Sequence, residues 1–568
     1  MNRKIKKYFS GLGRKKYKDI DPDEIFLDSS NLPEFDTHQF EGRIEKPISK
    51  TSLIVLALFF VLIGMVYVSR VWALQVTDGE IYTQKSEKNR LRNTLVFAER
   101  GIIYDRNKKE LAWNVLGEDV NFSLRKYADL PGLGHVLGYV KYPSKDSYGF
   151  YYRPDFEGFD GIEKFYNDRL RGEHGLKIVE VDALGKIQSE NIIKPTKDGA
   201  NITLSIDSKV QNMLYEKIKE VATDLGFVGG AGVIMDVNTG EIVASVSYPE
   251  YSPQVLTDGD NRQLITNYVN SKRRIFLNRV SNGTYTPGSI VKTVMAMGVL
   301  NEGVIDPETK ILSTGSISLP NQYDPTKVSI FKDWKAHGWV DLRRAIAVSS
   351  NVYFYEVGGG YKDQKGIGIA NIEKYAKLFG LGEKTGIDLP GEVSKPIPSP
   401  AWKAVNFPND PWRVGDTYNT VIGQYGFQVT PIQMARAIGA IANYGKVLEP
   451  TLLLGDTFSR PTVVRTIDIP KKYFDIVHEG MRQTVVSGSA PGLKLEQVAV
   501  AAKTGTAQVG VGNKYINSWV VGFFPYEKPK YSFALLMEEG DLQGGAASVR
   551  VMHQILDWMS VYTPEYTR

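Results

Sequence analysis

Ser289 and Lys292 stand three residues apart in the stretch Tyr285-Thr286-Pro287-Gly288-Ser289-Ile290-Val291-Lys292-Thr293. A serine hydroxyl attacks a carbonyl efficiently only when a base within hydrogen-bond reach takes its proton. A lysine set among Val291, Met295 and Met297 is desolvated, which favours the neutral amine and makes it a candidate base. Pro287-Gly288 marks a turn, and Ile290 to Leu300 is almost all apolar. The spacing therefore predicts a buried helix with Ser289 at its start and Lys292 one turn on, on the same face. Backbone N–H groups at such a helix start could also hold an oxyanion.

Ser-x-x-Lys carries little alone, because it recurs at Ser123–Lys126 and Ser329–Lys332. Two further patterns give it context. Ser-x-Asn occurs at Ser29–Asn31, Ser189–Asn191 and Ser349–Asn351. Only the last lies between a helix-like run, Asp341 to Val348, and an apolar aromatic run, Val352-Tyr353-Phe354-Tyr355. A turn between two buried helices aims a hydroxyl and an amide into a cleft. Lys384-Thr385-Gly386 reads as loop. Lys503-Thr504-Gly505-Thr506 follows the apolar run from Val498 to Ala502 and reads as the end of an inner strand. There Gly505 would leave room for an extended peptide to pair with the strand. Lys503 would supply charge for a carboxylate, and Thr504 and Thr506 would supply hydrogen bonds.

The elements that must position these groups begin near residue 200. Asn201 to Ile206 alternates like a strand. Ser208 to Leu225 carries apolar residues at helical spacing, with Asp207 or Ser208 as cap. Ala231–Val237 and Glu241–Tyr248 read as a hairpin joined by Asn238-Thr239-Gly240. Val498–Ala502, Ser518–Phe524 and Tyr531–Met537 read as three more strands, and Ala546–Tyr562 as a closing helix. The fold class expected is α+β, a central antiparallel sheet flanked by helices.

With 568 residues the chain is long enough for two or three domains. The net charge of +5 is small for that length, so nothing demands nucleic acid. The absence of cysteine excludes thiolate nucleophiles and Cys-ligated zinc. The six histidines form no His-x-x-x-His pair. Asp333 and His337, four apart, lack a third ligand and read as structural. Thr51 to Ser69 is uncharged and mostly apolar, and as a helix it would span roughly 28 Å, one bilayer core. We expect a transmembrane anchor over 51–72. Residues 1–50, with basic clusters before residue 19, would form a cytoplasmic tail. Residues 77–199 hold no acid–base pair or phosphate loop and read as a non-catalytic spacer or docking module. The last domain would run over 200–568.

Ser-x-x-Lys, Ser-x-Asn and Lys-Thr-Gly in that order mark serine acyl-transfer enzymes that react with β-lactams. With these motifs the sequence resembles a class B penicillin-binding protein, a monofunctional peptidoglycan D,D-transpeptidase, over nearly all of its length after residue 50. Arg100–Asn107 and the region 158–175 resemble that family's N-terminal pedestal, a dimerisation-type domain. Gly415-Asp416-Thr417, Ile422-Gly423-Gln424 and Thr430-Pro431-Ile432-Gln433 look most like the elongation-type branch, penicillin-binding protein 2, as does Asp333-Trp334. Gln424-Tyr425-Gly426 departs from the family's usual Gln-Gly.

The resemblance implies roles for single residues. Ser289 would attack the penultimate D-Ala carbonyl of a stem peptide, with Lys292 taking its proton. Ser349 and Asn351 would relay protons and position the amide. Lys503, Thr504 and Thr506 would hold the terminal carboxylate, with Gly505 in the pairing strand. It also implies no cofactor and no metal, β-lactams as covalent inhibitors, and a SEDS-type glycosyltransferase as partner. The catalytic domain would lie outside the plasma (inner) membrane. Only about 120 residues separate anchor and catalytic domain, too few for a glycosyltransferase in the same chain. Two alternatives stay open. One is a β-lactam-hydrolysing or β-lactam-sensing relative; the other is an inactive scaffold of a cell-wall complex.

Overall fold

The computed structural model describes residues 49–117, 120–147, 151–181, 187–320, 324, 326–455 and 461–568. The expected tail lies outside the described residues up to residue 48, and with it Ser29–Asn31. The chain divides after Arg90 into two compact units.

In the first unit, Lys50–Trp72 is one helix, close to the expected 51–72 span. Ser49 caps it, its hydroxyl accepting from Ser52 N at 3.1 Å. A π-helical turn, Ala73–Thr77, continues the helix, and Gly79–Arg90 forms a second one. Lys50–Thr77, 28 residues containing an 18-residue window of mean hydropathy 2.6, is long and apolar enough to cross a bilayer.

The second unit begins with two small sheets. Leu91–Val96, Gly175–Val181 and Ile187–Lys194 form one; Ile202–Thr203, Ile103–Tyr104, Glu110–Val115 and Leu124–Tyr127 form the other. Arg100 and Arg125, both with buried side chains, share Glu163, at 2.6 and 2.8 Å. The strand expected over Asn201–Ile206 is only Ile202–Thr203. Beyond Thr203 the backbone leaves the sheet, as Ser205 N donates to Leu452 O and Asp207 N to Val243 O.

Helix α1 is Ser208–Asp224, capped by Asp207, whose carboxylate accepts from the N–H of Lys209 and Val210. Strands β1 (Gly229–Asp236) and β2 (Ile242–Tyr248) make the expected hairpin. Then come α2 (Lys292–Asn301), α3 (Leu342–Val348), α4 (Asn351–Gly359), α5 (Pro431–Ala442) and α6 (Lys471–Ser487). Strands β3 (Ala501–Val509), β4 (Tyr515–Phe524) and β5 (Tyr531–Gly540) and helix α7 (Ala547–Tyr562) close the chain.

The five strands form one antiparallel sheet in the order β2-β1-β5-β4-β3. Both faces are buried. Trp519, Val521, Ala534 and Leu536 face one core with residues of α2, α5 and α6, while Val520, Phe533 and Leu535 face a second core with α1 and α7. Alternation across two covered faces is why the strands read as continuous apolar runs.

The Lys-Thr-Gly strand is not inner but at the sheet edge, and it starts at Ala501, not Val498. Val498 and Val500 are buried, yet they pack into the second core as loop. An edge strand retains a free row of backbone groups, which an inner strand would not.

Candidate active site

The helix expected from Ser289 onward is broken into two pieces. Gly288–Val291 is a 3-10 turn, and α2 begins at Lys292. Gly288 has φ +56°, and its N–H donates to Gly423 O at 3.0 Å. A Cβ on Gly423 would stand 2.2 Å from Gly288 O, so the two backbones touch directly. Tyr285 pairs with Val429 by two backbone hydrogen bonds, and Trp519 Nε1 of β4 donates to Thr286 O at 3.0 Å. The turn is thus clamped between the 423–429 segment and the sheet, and Ser289 is held half-exposed at its tip.

Gly505 takes part in the same clamp. A Cβ there would meet Pro287 O at 2.8 Å and Ile290 Cγ2 at 2.9 Å. Its missing side chain makes room for the turn at 287–290, a different use from the peptide clearance expected of it. The close approach brings β3, with Lys503, Thr504 and Thr506, against the turn that carries Ser289.

Lys292 is fully buried. Its Nζ donates to Ser349 O at 2.9 Å and to Asn351 Oδ1 at 2.6 Å. Burial pushes its pKa from 10.5 down to about 7, against the pull of Asp333, which favours the proton. Ser289 Oγ has no protein hydrogen-bond partner among the described residues. The expected Ser289–Lys292 hydrogen bond is therefore not formed here; such bonds commonly tighten only with substrate in place.

Ser349 and Asn351 occupy the expected turn. Ser349 ends α3 in the left-handed region, φ +60° and ψ +38°, and Ser350 caps α4. This abrupt reversal turns the Ser349 carbonyl and the Asn351 amide onto the same amine. Lys503 is also fully buried, and its Nζ donates to Thr504 O at 2.9 Å. Burial, then the neighbouring Lys292, hold its pKa well below the ordinary lysine value. Thr504 Oγ1 lies 2.6 Å from Ser489 Oγ, and Thr506 is exposed.

All eight residues singled out in the sequence thus fall on three segments that converge. Trp519 and Ser489 carry no motif and went unnoticed; Gly423 was noted only within Ile422-Gly423-Gln424, not for its contact with Gly288. Lys384-Thr385-Gly386 is loop as expected, with Thr385 N and Oγ1 both donating to Glu392 Oε1 at 2.6 Å.

The profile of the penicillin binding protein transpeptidase domain matches residues 230–557, more than half of the chain, and that of the penicillin-binding protein dimerisation domain matches residues 121–204. The peptidoglycan D,D-transpeptidase MrdA of Acinetobacter baumannii is 32% identical over 445 residues, covering 73% of this chain and 63% of the relative. MrdA of Salmonella typhimurium is 28% identical over 619 residues, 90% of this chain and 96% of the relative. Among solved structures, penicillin-binding protein 2 of Helicobacter pylori in complex with MreC aligns with a TM-score of 0.68 and 27% identity, over 82% of this chain and 99% of that one. The chain belongs to the penicillin-binding protein transpeptidase family, as a class B, penicillin-binding protein 2 type serine D,D-transpeptidase.

Proposed function

We propose that Ser289 attacks the penultimate D-Ala carbonyl of a peptidoglycan stem peptide during cell-wall elongation. Lys292, neutral in a large fraction near pH 7, takes the hydroxyl proton as the C–O bond forms. The N–H groups of Ser289 and Thr506 hold the oxyanion. The Ser349 hydroxyl relays the proton from Lys292 to the departing amine while Asn351 holds the peptide amide, and the terminal D-Ala leaves. The amine of a second stem peptide then attacks the ester, gives up its proton, and releases Ser289 with a new amide cross-link. Lys503 with Thr504 and Thr506 grips the terminal carboxylate; a carboxylate alongside Lys503 favours its protonated form, offsetting the burial that works against it. The substrate backbone pairs with β3 at the sheet edge.

The observation that carries this reading is the meeting of a fully buried Lys292 with the Ser349–Asn351 turn, beside the half-exposed Ser289. Residues 77–199 serve as a pedestal and 200–568 as the transpeptidase domain. The apolar helix anchors the enzyme in the plasma membrane, tail inside and catalytic domain outside. A SEDS-type glycosyltransferase supplies the glycan strands, and a scaffold of the MreC kind is a further partner. β-Lactams acylate Ser289 as substrate mimics.

The test is cross-linking of nascent glycan by the full-length protein, together with a glycan polymerase. We expect dimeric muropeptides and stoichiometric D-Ala release, both lost in Ser289→Ala. Cross-linking undiminished in that variant would refute the assignment.

A further inference from the structure

We propose that Asp333 is a positioning residue for the acylation reaction, fixing the Ser349–Asn351 turn and through it the base Lys292. Asp333 precedes that turn by sixteen residues, follows the strand Val328–Lys332, and belongs to none of the three motifs. Its side chain is fully buried. One carboxylate oxygen accepts from Ser350 Oγ at 2.8 Å, Val352 N at 3.0 Å and Ser313 Oγ at 3.3 Å. The other accepts from Trp334 N at 2.9 Å. Ser350, the middle residue of Ser349-Ser350-Asn351, in turn caps α4 by accepting from Tyr353 N. One carboxylate therefore holds the hydroxyl between the two motif residues and the N–H of Val352, in the first turn of the helix that follows. Trp334 Nε1 adds a hydrogen bond to Val348 O at 3.1 Å, just ahead of Ser349.

The same group acts on Lys292 by charge. Burial raises the Asp333 pKa, but the N–H groups of Val352 and Asn351, with Lys292 and Ser350, hold it below the ordinary carboxylate value. Asp333 is thus an anion across the working pH range, and it favours the protonated amine. The other groups facing this pair are Lys503, whose charge opposes that of Lys292, Tyr355, whose pKa is raised by burial and Asp333, and His337. His337 lies 3.6 Å from Asp333, and burial keeps its pKa below 6.5 despite the carboxylate.

The inference rests on the reading of Ser289 as nucleophile and Lys292 as base. The experiment is the second-order rate of benzylpenicillin acylation of the full-length protein, measured from pH 5.5 to 9. It is run for the native chain, Asp333→Asn, Ser350→Ala and His337→Gln. Asp333→Asn is expected to lower the high-pH plateau at least tenfold and to move the acid limb to lower pH, because the amine loses an anion that favours its proton. Ser350→Ala keeps the anion and breaks the link to the turn, so the plateau falls and the limb stays. His337→Gln leaves the limb in place. An Asp333→Asn limb coincident with the native one overturns the inference, whether or not the plateau falls. So does an Asp333→Asn plateau within twofold of native. Failure of the native chain to acylate at Ser289 would instead overturn the reading beneath it.

Discussion

At the scale of single residues, the proposed chemistry turns on keeping an amine uncharged near neutral pH. Lys292 loses most of its hydration and gains only a carbonyl and an amide oxygen as hydrogen-bond partners. Its pKa falls to about 7, so the neutral, proton-accepting form increases as pH rises through that value. The rate of penicillin acylation should therefore fall about tenfold per pH unit well below 7 and level off above it. Stopped-flow quenching of a fluorescent penicillin measures this directly; a flat profile between pH 5.5 and 9 would contradict it. The residues proposed for this work stood out in the sequence because their types are scarce in such settings: a lysine in an apolar run, a serine and asparagine between two buried helices. Asp333 was seen but read as structural. Nothing local to Asp333-Trp334 says that its carboxylate reaches Ser350 and Val352, since that contact is made by the fold and not by spacing.

At the scale of elements, the turn carrying Ser289 is packed backbone against backbone on β3 at Gly505 and on the 423–429 segment at Gly423, where a side chain would not fit. A Cβ at position 505 would press on Pro287 O and on Ile290, which are backbone and core rather than a flexible tip. Gly505→Ala should therefore separate β3 from the nucleophile turn, at a cost of about 1–3 kcal/mol in stability. We expect acylation to slow by at least tenfold while far-UV circular dichroism stays native. Native acylation rates in this variant would show that the contact is dispensable. The strand carrying Gly505 was legible as a strand but not as an edge, and its start was placed three residues early. The reason is that Val498 and Val500 are as apolar as strand residues, yet their burial comes from the helical face of the second core, without ladder hydrogen bonds. Likewise, the single helix expected from Ser289 becomes a 3-10 turn and a helix, because Gly288 yields its N–H to Gly423.

At the scale of the whole molecule, the region ahead of the catalytic elements has its own buried polar centre. Arg100 and Arg125 both bond Glu163, and all three side chains are shielded from water. Removing the shared anion leaves two buried cations, so Glu163→Gln should destabilise the protein by about 3–5 kcal/mol. Urea unfolding followed by tryptophan fluorescence would register it as a lower midpoint; an unchanged midpoint would mean that the triad is replaceable. Further hydrogen bonds tie this region to the catalytic elements: Tyr166 to Asp388 at 2.9 Å, Tyr251 to Asp160 at 2.7 Å, and Glu250 to the N–H groups of Gly132 and Gly134. The sequence signals the two regions by their change in apolar patterning near residue 200. It does not reveal these joining contacts, which pair residues far apart along the chain.

The most direct measurement is the intact mass of the full-length protein after brief exposure to benzylpenicillin, followed by peptide mapping. One equivalent of drug should be added, held as a long-lived ester, and confined to the peptide containing Ser289; Ser289→Ala should gain no mass. A drug adduct mapped to any other residue, or rapid release of hydrolysed drug with no retained ester, would contradict the account.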